Sequence, residues 1–367
     1  MSEITDSRAD VVVIGDGIIG LSTALELARR GAACRVLGAP NAGIASLAAA
    51  GLLAPSIGHL SPDVEPFYHA SLAAYPDFVR RLHQVDAELS LIVGLIDTSN
   101  GASLDGTSSV ASAAARLLSA AQVAALEPSL AAPAGGVLYE REAAIDNVRL
   151  HAALCTAAVR SPAITLDANA PIARVTFGGS QVAAVTRAGT VHEADRLLLA
   201  AGAWSPAIAG LPRPLPVEPL KGQMLALGAS PLRRSVMSAD VYLVPRGAET
   251  LVGATVERAG FDLATDQASL DTLRRAALRL CPALAAATVT RSWAGIRPAT
   301  PDLRPILGPD PDEPRLFYAC GHSKNGILLA PATADALASL ILGERVAQDL
   351  TPFSIERFGA NQVANSH

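Results

Sequence analysis

The pattern of apolar residues at the start of the chain predicts a buried strand, a helix and a second strand. Residues 10–14, Asp-Val-Val-Val-Ile, are apolar after the first position. Small and apolar residues then recur at helical spacing up to Gly31, and a second apolar run covers 34–37. Continuous apolar runs are typical of parallel strands that are covered on both faces, so this order indicates the start of an α/β sheet.

The turn between the first strand and the helix carries a glycine pattern, Gly-Asp-Gly-Ile-Ile-Gly at 15–20. Between a strand and a helix, G-x-G-x-x-G predicts a dinucleotide site. Gly15 permits the tight turn, Gly17 lets backbone N–H groups approach a pyrophosphate, and Gly20 lets the helix pack closely on the strand. The N-terminus of the helix favours the same anion.

Two positions depart from the usual pattern of such a unit. The second strand normally ends in an Asp or Glu that accepts hydrogen bonds from the adenosine ribose, whereas this chain has Gly38. Asp16 also places a carboxylate inside the loop, where it repels a pyrophosphate unless it points outward. We therefore expect Gly38→Glu to tighten dinucleotide binding by restoring a charged acceptor, unless Asn41 already fills that place.

Strand patterns dominate the middle of the chain. Residues 163–201 predict a strand-rich unit, and its last member, 195–202, reads as a buried parallel strand that ends in small residues. Residues 217–256 alternate as antiparallel strands do. The order predicts a nucleotide domain that is interrupted twice by a second domain.

Three further segments have helical patterns. Residues 68–91 are mainly helical, with a break or bend expected at Pro76 because proline has no backbone donor. Residues 327–342 predict an amphipathic helix. The Ala/Ser-rich stretch 108–121 predicts a loop that leads into a helix.

Composition limits the function classes. With 367 residues the chain is long enough for two domains. A net charge of −5 without any Lys/Arg run makes nucleic acid an unexpected partner. The four cysteines lie far apart and lack zinc-site spacing, so we expect no metal and a reducing cytoplasm. The first residues do not resemble a secretory signal, and no apolar run is long enough for a membrane span.

Motifs along nearly the whole chain have a known order. They are the glycine loop, Ala-Ser-Leu-Ala-Ala-Ala-Gly-Leu-Leu-Ala-Pro at 45–55, Ala-Gly-Ala-Trp-Ser at 201–205, Pro-Leu-Lys-Gly-Gln-Met at 219–224, Val-Tyr-Leu-Val-Pro-Arg at 241–246, Trp-Ala-Gly-Ile-Arg-Pro at 293–298 and Gly-His-Ser-Lys-Asn-Gly-Ile-Leu-Leu-Ala-Pro at 321–331. In this order they resemble the D-amino acid oxidase superfamily of FAD enzymes, and within it the glycine oxidases of thiamine biosynthesis.

The resemblance implies a mixed α/β fold of the D-amino acid oxidase and glutathione reductase type, in which a Rossmann-like FAD-binding domain is interrupted by an antiparallel-sheet substrate domain. We expect the FAD-binding domain to comprise 1–75, 140–215 and 293–367. The substrate-binding domain then comprises 76–139 and 216–292. The resemblance leaves the oligomeric state open, a homo-oligomer included.

The resemblance also implies which residues contact FAD, with noncovalent binding expected because no Cys or His is placed like the covalent attachment points of the sarcosine oxidases. A glycine-rich turn that opens a helix directs N–H groups and the positive dipole end at the flavin edge that becomes negative on reduction. The expected contacts are Gly15, Gly17, Ile18, Ile19 and Gly20 at the pyrophosphate, Gly38 and Ala39 at the ribose, Ala45 and Ser46 along the phosphate and ribitol, Ala50, Gly51 and Leu52 at the flavin edge, Ile172 at the adenine, Gly202 and Trp204 after the parallel strand, and His322, Ser323, Lys324, Asn325, Gly326, Ile327 and Leu328 over the isoalloxazine.

For the substrate, the resemblance implies that Arg297 grips the carboxylate, since a guanidinium offers a planar two-point contact. Tyr242 is expected to donate its hydroxyl to the same carboxylate, and Leu52 to lie beside the substrate. Glycine oxidases often have a second arginine where this chain has Lys324, which leaves the substrate preference open. Asp240 replaces a non-acidic residue and is expected to attract a cationic substrate group. His322 is expected to pack beside the flavin rather than to act as an acid or base.

The implied reaction is oxidation of a small amino acid or secondary amine, such as glycine, sarcosine or a small D-amino acid. Hydride passes from Cα to flavin N5, and the products are an oxo acid, ammonia or an amine, and H2O2 when O2 is the acceptor. The alternative is a D-amino acid, opine or hydroxyproline type of dehydrogenase that uses a quinone or a partner subunit. A non-catalytic flavoprotein homologue is a second alternative, motivated by Gly38, Asp16 and Lys324.

Overall fold

The computed structural model describes residues 9–57, 60–99, 115–131 and 134–359. The strands in these ranges are β1 (Ala9–Ile14), β2 (Cys34–Leu37), β3 (Leu52–Leu53), β4 (Leu91–Asp97), β5 (Ala115–Ser119), β6 (Gly135–Ile145), β7 (Ile164–Asp167), β8 (Ile172–Gly178), β9 (Gln181–Thr186), β10 (Val191–Leu199), β11 (Glu218–Leu227), β12 (Ser235–Met237), β13 (Tyr242–Arg246), β14 (Glu249–Gly253), β15 (Val289–Ala299), β16 (Ile306–Pro309) and β17 (Leu316–Cys320).

The helices are α1 (Ile18–Arg29), α2 (Ala45–Ala48), α3 (Glu65–Leu82), α4 (Ala120–Leu126), α5 (Asn147–Arg160), α6 (Gln267–Leu280) and α7 (Gly326–Leu342). Within the described ranges, none of them has the length and apolar character that crossing a bilayer requires. Of the Ala/Ser-rich stretch, residues 108–114 lie outside the described residues, and the remainder covers β5 and the start of α4.

The first sheet is the predicted Rossmann-like one. Its order is β16-β17-β10-β1-β2-β7, with the β8–β9 hairpin added to β10. β1 lies between β2 and β10, and both pairs are parallel, as is the pair of β10 with β17. The apolar run of β1 is almost entirely buried because α1, α5 and α7 cover one face and the hairpin side covers the other.

The second sheet is largely antiparallel, as the alternating pattern of 217–256 predicts. Its order is β15-β11-β14-β13-β12-β4-β6-β3, with β5 paired to β6, and only the β12–β4 pair is parallel among the pairs described. The predicted domain boundaries at 140 and 293 fall inside β6 and β15. Both strands continue their pairing past those points, so the second sheet extends to the ends of these two strands.

Helix α7 differs from its prediction. It is buried on nearly all sides rather than amphipathic, because α1 and α3 both pack against it. Its one charged side chain, Asp335, pairs with Arg30 at the end of α1. A helix that is apolar all round belongs in the interior of a protein. Here it lies in the core of the first domain, which is the domain built on the first sheet.

Helix α3 continues through Pro76, so the break that was one of the two expectations there does not occur, and the helix ends at Leu82 rather than near residue 91. Residues 91–97, at the end of the predicted helical segment, form β4. The face of α3 that meets α7 carries two buried hydroxyls, Ser71 and Tyr75.

These hydroxyls supply hydrogen bonds that α7 lacks because it contains Pro331. In a regular helix the N–H of residue 331 donates to the carbonyl of Ile327, but proline has no N–H. The hydroxyl of Tyr75 donates to the Ile327 carbonyl instead. A carbonyl that would be buried without a donor is therefore satisfied from α3.

Ser71 enters the same helix one position further on. Its hydroxyl donates to the Leu328 carbonyl at 2.7 Å and accepts the N–H of Ala332 at 3.2 Å. It thus stands between a donor and an acceptor that would pair directly in a regular helix. Together the two hydroxyls connect α3 to the first turns of α7.

We expect Tyr75→Phe to lower the free energy of unfolding by roughly 1–3 kcal/mol, because it leaves the buried Ile327 carbonyl without a donor. In a Pro331→Ala background the loss should be smaller, since the restored N–H can bond that carbonyl. Urea unfolding of the four proteins in this cycle measures the difference. An equal loss in both backgrounds would show that the hydroxyl does not replace the missing N–H.

Candidate active site

A cavity of about 690 Å³ lies between the two sheets. Most of the residues predicted to contact a cofactor line it. They are Gly15, Gly17, Ile18, Ile19, Gly38, Ala39, Ala45, Ser46, Ala50, Gly51, Leu52, Ile172, Gly202, Trp204, His322, Ser323, Lys324, Asn325, Gly326 and Ile327.

Gly20 and Leu328 are the two predicted contacts that do not line the cavity. A Cβ at Gly20 would lie 1.9 Å from the carbonyl oxygen of Gly15, so Gly20 serves the packing of the helix against the loop. Leu328 is buried inside α7 and packs in the core of the first domain. Both residues pack against neighbouring parts of the chain and do not face the cavity.

The glycine loop brings α1 to the cavity. Gly15 has φ of +115°, and a Cβ there would lie 2.3 Å from the carbonyl oxygen of Ala200, so only glycine fits. The helix has no side-chain cap of its own and no acidic residue in its first turn. The N–H of Ile18 donates to the hydroxyl of Ser46 at 3.0 Å. The positive end of the helix lies at the cavity wall, where it favours an anion.

The segment 45–52, which comprises α2 and the turn after it, is held in place by three side chains that the sequence alone did not single out for this role. Asn147 is buried at the start of α5 and donates to two carbonyls of the segment, at 2.8 and 3.2 Å. Arg246 and Trp293 each donate to another of its carbonyls at 2.9 Å. The sequence shows only an Asn after a helix-capping Asp146, and its burial, which calls for such hydrogen bonds, is visible in the structure alone.

The turn before α7 forms the opposite end of the cavity. Asn325 precedes the helix without a side-chain cap, and the first turn has no acidic residue, so the N–H groups of the helix start remain available. His322 is buried, and burial lowers its pKa to about 3. Its Nε2 lies 3.3 Å from the hydroxyl of Thr333. The imidazole is therefore neutral at ordinary pH and carries a proton on only one of its two nitrogens.

Arg297 and Tyr242 meet at this end of the cavity. The guanidinium donates to the carbonyls of Lys221 and Thr255, at 3.3 and 3.1 Å. A Cβ at Gly222 would lie 2.2 Å from the same guanidinium, so the glycine provides its space. Burial raises the pKa of the Tyr242 hydroxyl, and the adjacent Arg297 charge and hydrogen bond lower it in part.

Lys324 faces the cavity from the turn before α7. Burial by the surrounding protein lowers the pKa of Lys324, and the nearby charge of Arg297 lowers it further. Two cationic side chains therefore approach the same region, which favours an anionic group between them.

Asp240 lies elsewhere. It is an exposed residue in the turn before β13 and pairs with Arg279 at 3.2 Å rather than lining the cavity. Its backbone N–H lies in a turn closed by Ser238, which directs the side chain to the surface. The expectation that this carboxylate meets a substrate is corrected accordingly.

The carboxylate of Asp16 fills the space at the cavity wall that a side chain at position 38 would need. A Cβ at Gly38 would lie 2.3 Å from the carboxyl carbon of Asp16. Burial raises the pKa of Asp16, while its own N–H, that of Ala39 and the charge of His151 lower it in part. A Glu at position 38 would require this carboxylate to move, so we now expect Gly38→Glu to weaken binding rather than to tighten it.

One of the four cysteines, Cys320, lines the cavity. All four are free thiols, and burial raises the pKa of Cys34 to about 12. Among the described residues, no three His, Cys, Asp or Glu side chains are grouped as metal ligands.

A family model described as FAD dependent oxidoreductase matches residues 10–340. The glycine oxidase of Pseudomonas putida is 33% identical over 362 residues, which cover 94% of this chain and 98% of that protein. The bifunctional protein ThiO/ThiG of Synechocystis is 34% identical over 372 residues, which cover 96% of this chain and 54% of that protein. The chain thus spans about half the length of the bifunctional relatives that it matches.

Solved structures agree with the sequence comparison. The crystal structure of glycine oxidase from Geobacillus kaustophilus superposes with a TM-score of 0.88 at 30% sequence identity. The superposition covers 95% of this chain and 99% of that one.

Proposed function

The chain belongs to the D-amino acid oxidase family of FAD-dependent oxidoreductases, and on that premise we propose that it oxidises small amino acids such as glycine, sarcosine or a small D-amino acid. The observation that carries this proposal is the guanidinium of Arg297 beside the hydroxyl of Tyr242, at the end of the cavity opposite the glycine loop. The products are an oxo acid and ammonia or an amine, with H2O2 when O2 accepts the electrons.

The cavity has the features that FAD requires. The glycine loop and the start of α1 suit its pyrophosphate, and the segment 45–52 suits the part between phosphate and flavin. The uncapped start of α7 would offer N–H groups and a positive dipole end to a bound flavin, which would favour its reduced form. When bound, FAD supplies the acceptor for the hydride that leaves the substrate.

The side chains near the flavin end suit binding and orientation. Arg297 can grip a carboxylate with two parallel hydrogen bonds, and Tyr242 can add a third donor. A carboxylate held at two points fixes the adjacent α-carbon, so the orientation of the reacting C–H bond follows from the grip. His322 is neutral and engaged with Thr333, so we propose that the substrate amine binds without its extra proton and needs no side-chain base.

A dehydrogenase that passes electrons to a quinone or a partner subunit is the second candidate. It shares every feature of the cavity described above, because the acceptor acts after the substrate is oxidised. Measuring H2O2 release and dye reduction in the same preparation separates the two. Oxidation that produces peroxide supports an oxidase, and dye reduction without peroxide supports a dehydrogenase.

We expect Arg297→Ala to lower kcat/KM for small amino acids by about 30-fold or more, because losing one partner of a buried charged contact typically costs roughly 2–5 kcal/mol. FAD content, measured by absorbance, should stay normal. Glycine, sarcosine, D-alanine and D-proline are the substrates to assay. The matched control is Arg258→Ala, since Arg258 is an exposed arginine paired with Glu218 outside the cavity.

Two outcomes bear on the proposed grip. Arg297→Lys keeps the charge without the planar fork, so it should recover only part of the activity. Wild-type kinetics of Arg297→Ala on every substrate that the parent oxidises would contradict the role of Arg297. Loss of FAD in Arg297→Ala but not in the control would assign the residue to cofactor binding instead.

The lowered pKa of Lys324 predicts a pH dependence. As the pH rises through that pKa, the ammonium becomes neutral, its attraction for a substrate carboxylate is lost, and KM should increase. Lys324→Arg stays charged at these pH values and should abolish that part of the increase. KM measured from neutral to alkaline pH for both proteins tests this, and the titration of the substrate amine is common to both. Identical profiles would exclude Lys324 from carboxylate binding.

A further inference from the structure

The first two strands place the glycine loop beside the end of β2. β1 and β2 are parallel neighbours, and Ile14 pairs with Leu37 at their last positions. The N–H of Gly15 donates to the Leu37 carbonyl at 2.9 Å, which holds the two strand ends together. Asp16 in the loop and Gly38 directly after β2 therefore lie at the same edge of the cavity.

The carboxylate of Asp16 occupies the beginning of the path that a side chain at position 38 would take. An ideal Cβ on Gly38 would lie 2.3 Å from the carboxyl carbon of Asp16 and from its Oδ2, and 2.8 Å from Oδ1. All three carboxyl atoms are therefore closer than any real Cβ contact. The Asp16 carboxylate can occupy this position only because residue 38 has no side chain.

Both backbone polar groups of Gly38 already have protein partners. Its carbonyl already accepts the N–H of Ala170 at 2.9 Å, and its N–H donates to the Asp167 carbonyl at 2.7 Å. Asn41 lines the same part of the cavity but carries a neutral amide. The charged acceptor at this edge is therefore Asp16.

We propose that Asp16 receives the hydrogen bonds of the adenosine ribose hydroxyls of FAD, in place of the acidic side chain that usually ends the second strand. The two departures from the usual dinucleotide pattern are then a single exchange, in which the carboxylate has moved from the end of β2 to the loop after β1. A carboxylate at the strand edge has the two oxygens that a vicinal diol requires. The inference deepens the proposed function and rests on its FAD dependence.

The test compares FAD with FMN, which lacks the adenosine. Binding of each flavin to the full-length apoprotein is followed by the change in flavin fluorescence. Asp16→Asn keeps the shape of the side chain and removes its charge, so FAD affinity should fall about tenfold or more. FMN affinity should stay within about twofold, because the contact lies on the adenosine half. Asp77→Asn is the matched control, since Asp77 is an exposed aspartate of α3 that pairs with Arg80 outside the cavity, and it should change neither affinity.

Position 38 provides the second arm. Gly38→Glu alone should weaken FAD binding, because its Cβ overlaps the Asp16 carboxylate and two carboxylates would be adjacent. Adding Asp16→Gly to that variant removes both problems and should restore FAD affinity toward that of the parent. The thermal midpoint of each apoprotein controls for folding.

Three results would overturn the inference. One is an Asp16→Asn variant with parental FAD affinity, and another is an equal loss for FAD and FMN, which would place the contact on the flavin half. The third is a double variant no better than Gly38→Glu alone. The two sets of variants measure different quantities. The Asp16 variants report flavin affinity and the Arg297 variants report amino acid oxidation, so either hypothesis can fail without the other.

Discussion

Two hydroxyls that enter a buried helix support the helix whose start lines the cavity. Pro331 removes a donor from α7, and Tyr75 and Ser71 of α3 provide the hydrogen bonds that the interrupted ladder lacks. Since α7 begins directly after the turn that lines the cavity, its position sets the direction of that turn. The site therefore depends on the interior of the first domain as much as on the residues that line it.

Charge is distributed unevenly along the cavity. The carboxylate of Asp16 lies at the dinucleotide end, whereas Arg297 and Lys324 approach the opposite end. A long ligand that carries hydroxyl groups at one end and meets an anionic substrate at the other end therefore has one favourable orientation. Its hydroxyl groups face the carboxylate, and the anionic substrate lies near the two cations. The N-termini of α1 and α7 add positive helix ends to the cavity wall, and both favour anionic parts of a ligand.

The local parts of this arrangement could be predicted from the sequence, because they follow from short-range patterns. The glycine loop, β2 and β10 depend on neighbouring residues, and the ordered motifs predicted the family and the cofactor. The side of a turn to which Asp240 points depends on hydrogen bonds that a pattern does not contain. The burial of α7 is likewise a property of its neighbours, α1 and α3.

The contact between Asp16 and Gly38 is another feature that sequence patterns do not predict. Each residue appears as a defect when its own segment is considered alone, and only the pairing of the two strands makes them complementary. The contacts of Asn147 and Arg246 with the segment 45–52 also join parts of the chain far apart in sequence. Patterns within a window cannot predict such pairs.

The interleaving of the two sheets also has a consequence for synthesis of the chain. β1 pairs with β10, at Ala9 and Ala194, and β10 pairs with β17, at Leu197 and Leu316. As the chain leaves the ribosome, β1 keeps an unpaired edge until β10 emerges, and α7 arrives only after all the strands of both sheets. Such non-local pairing folds slowly and exposes strand edges. The nascent chain therefore needs its longest protection from aggregation before the last helix is complete.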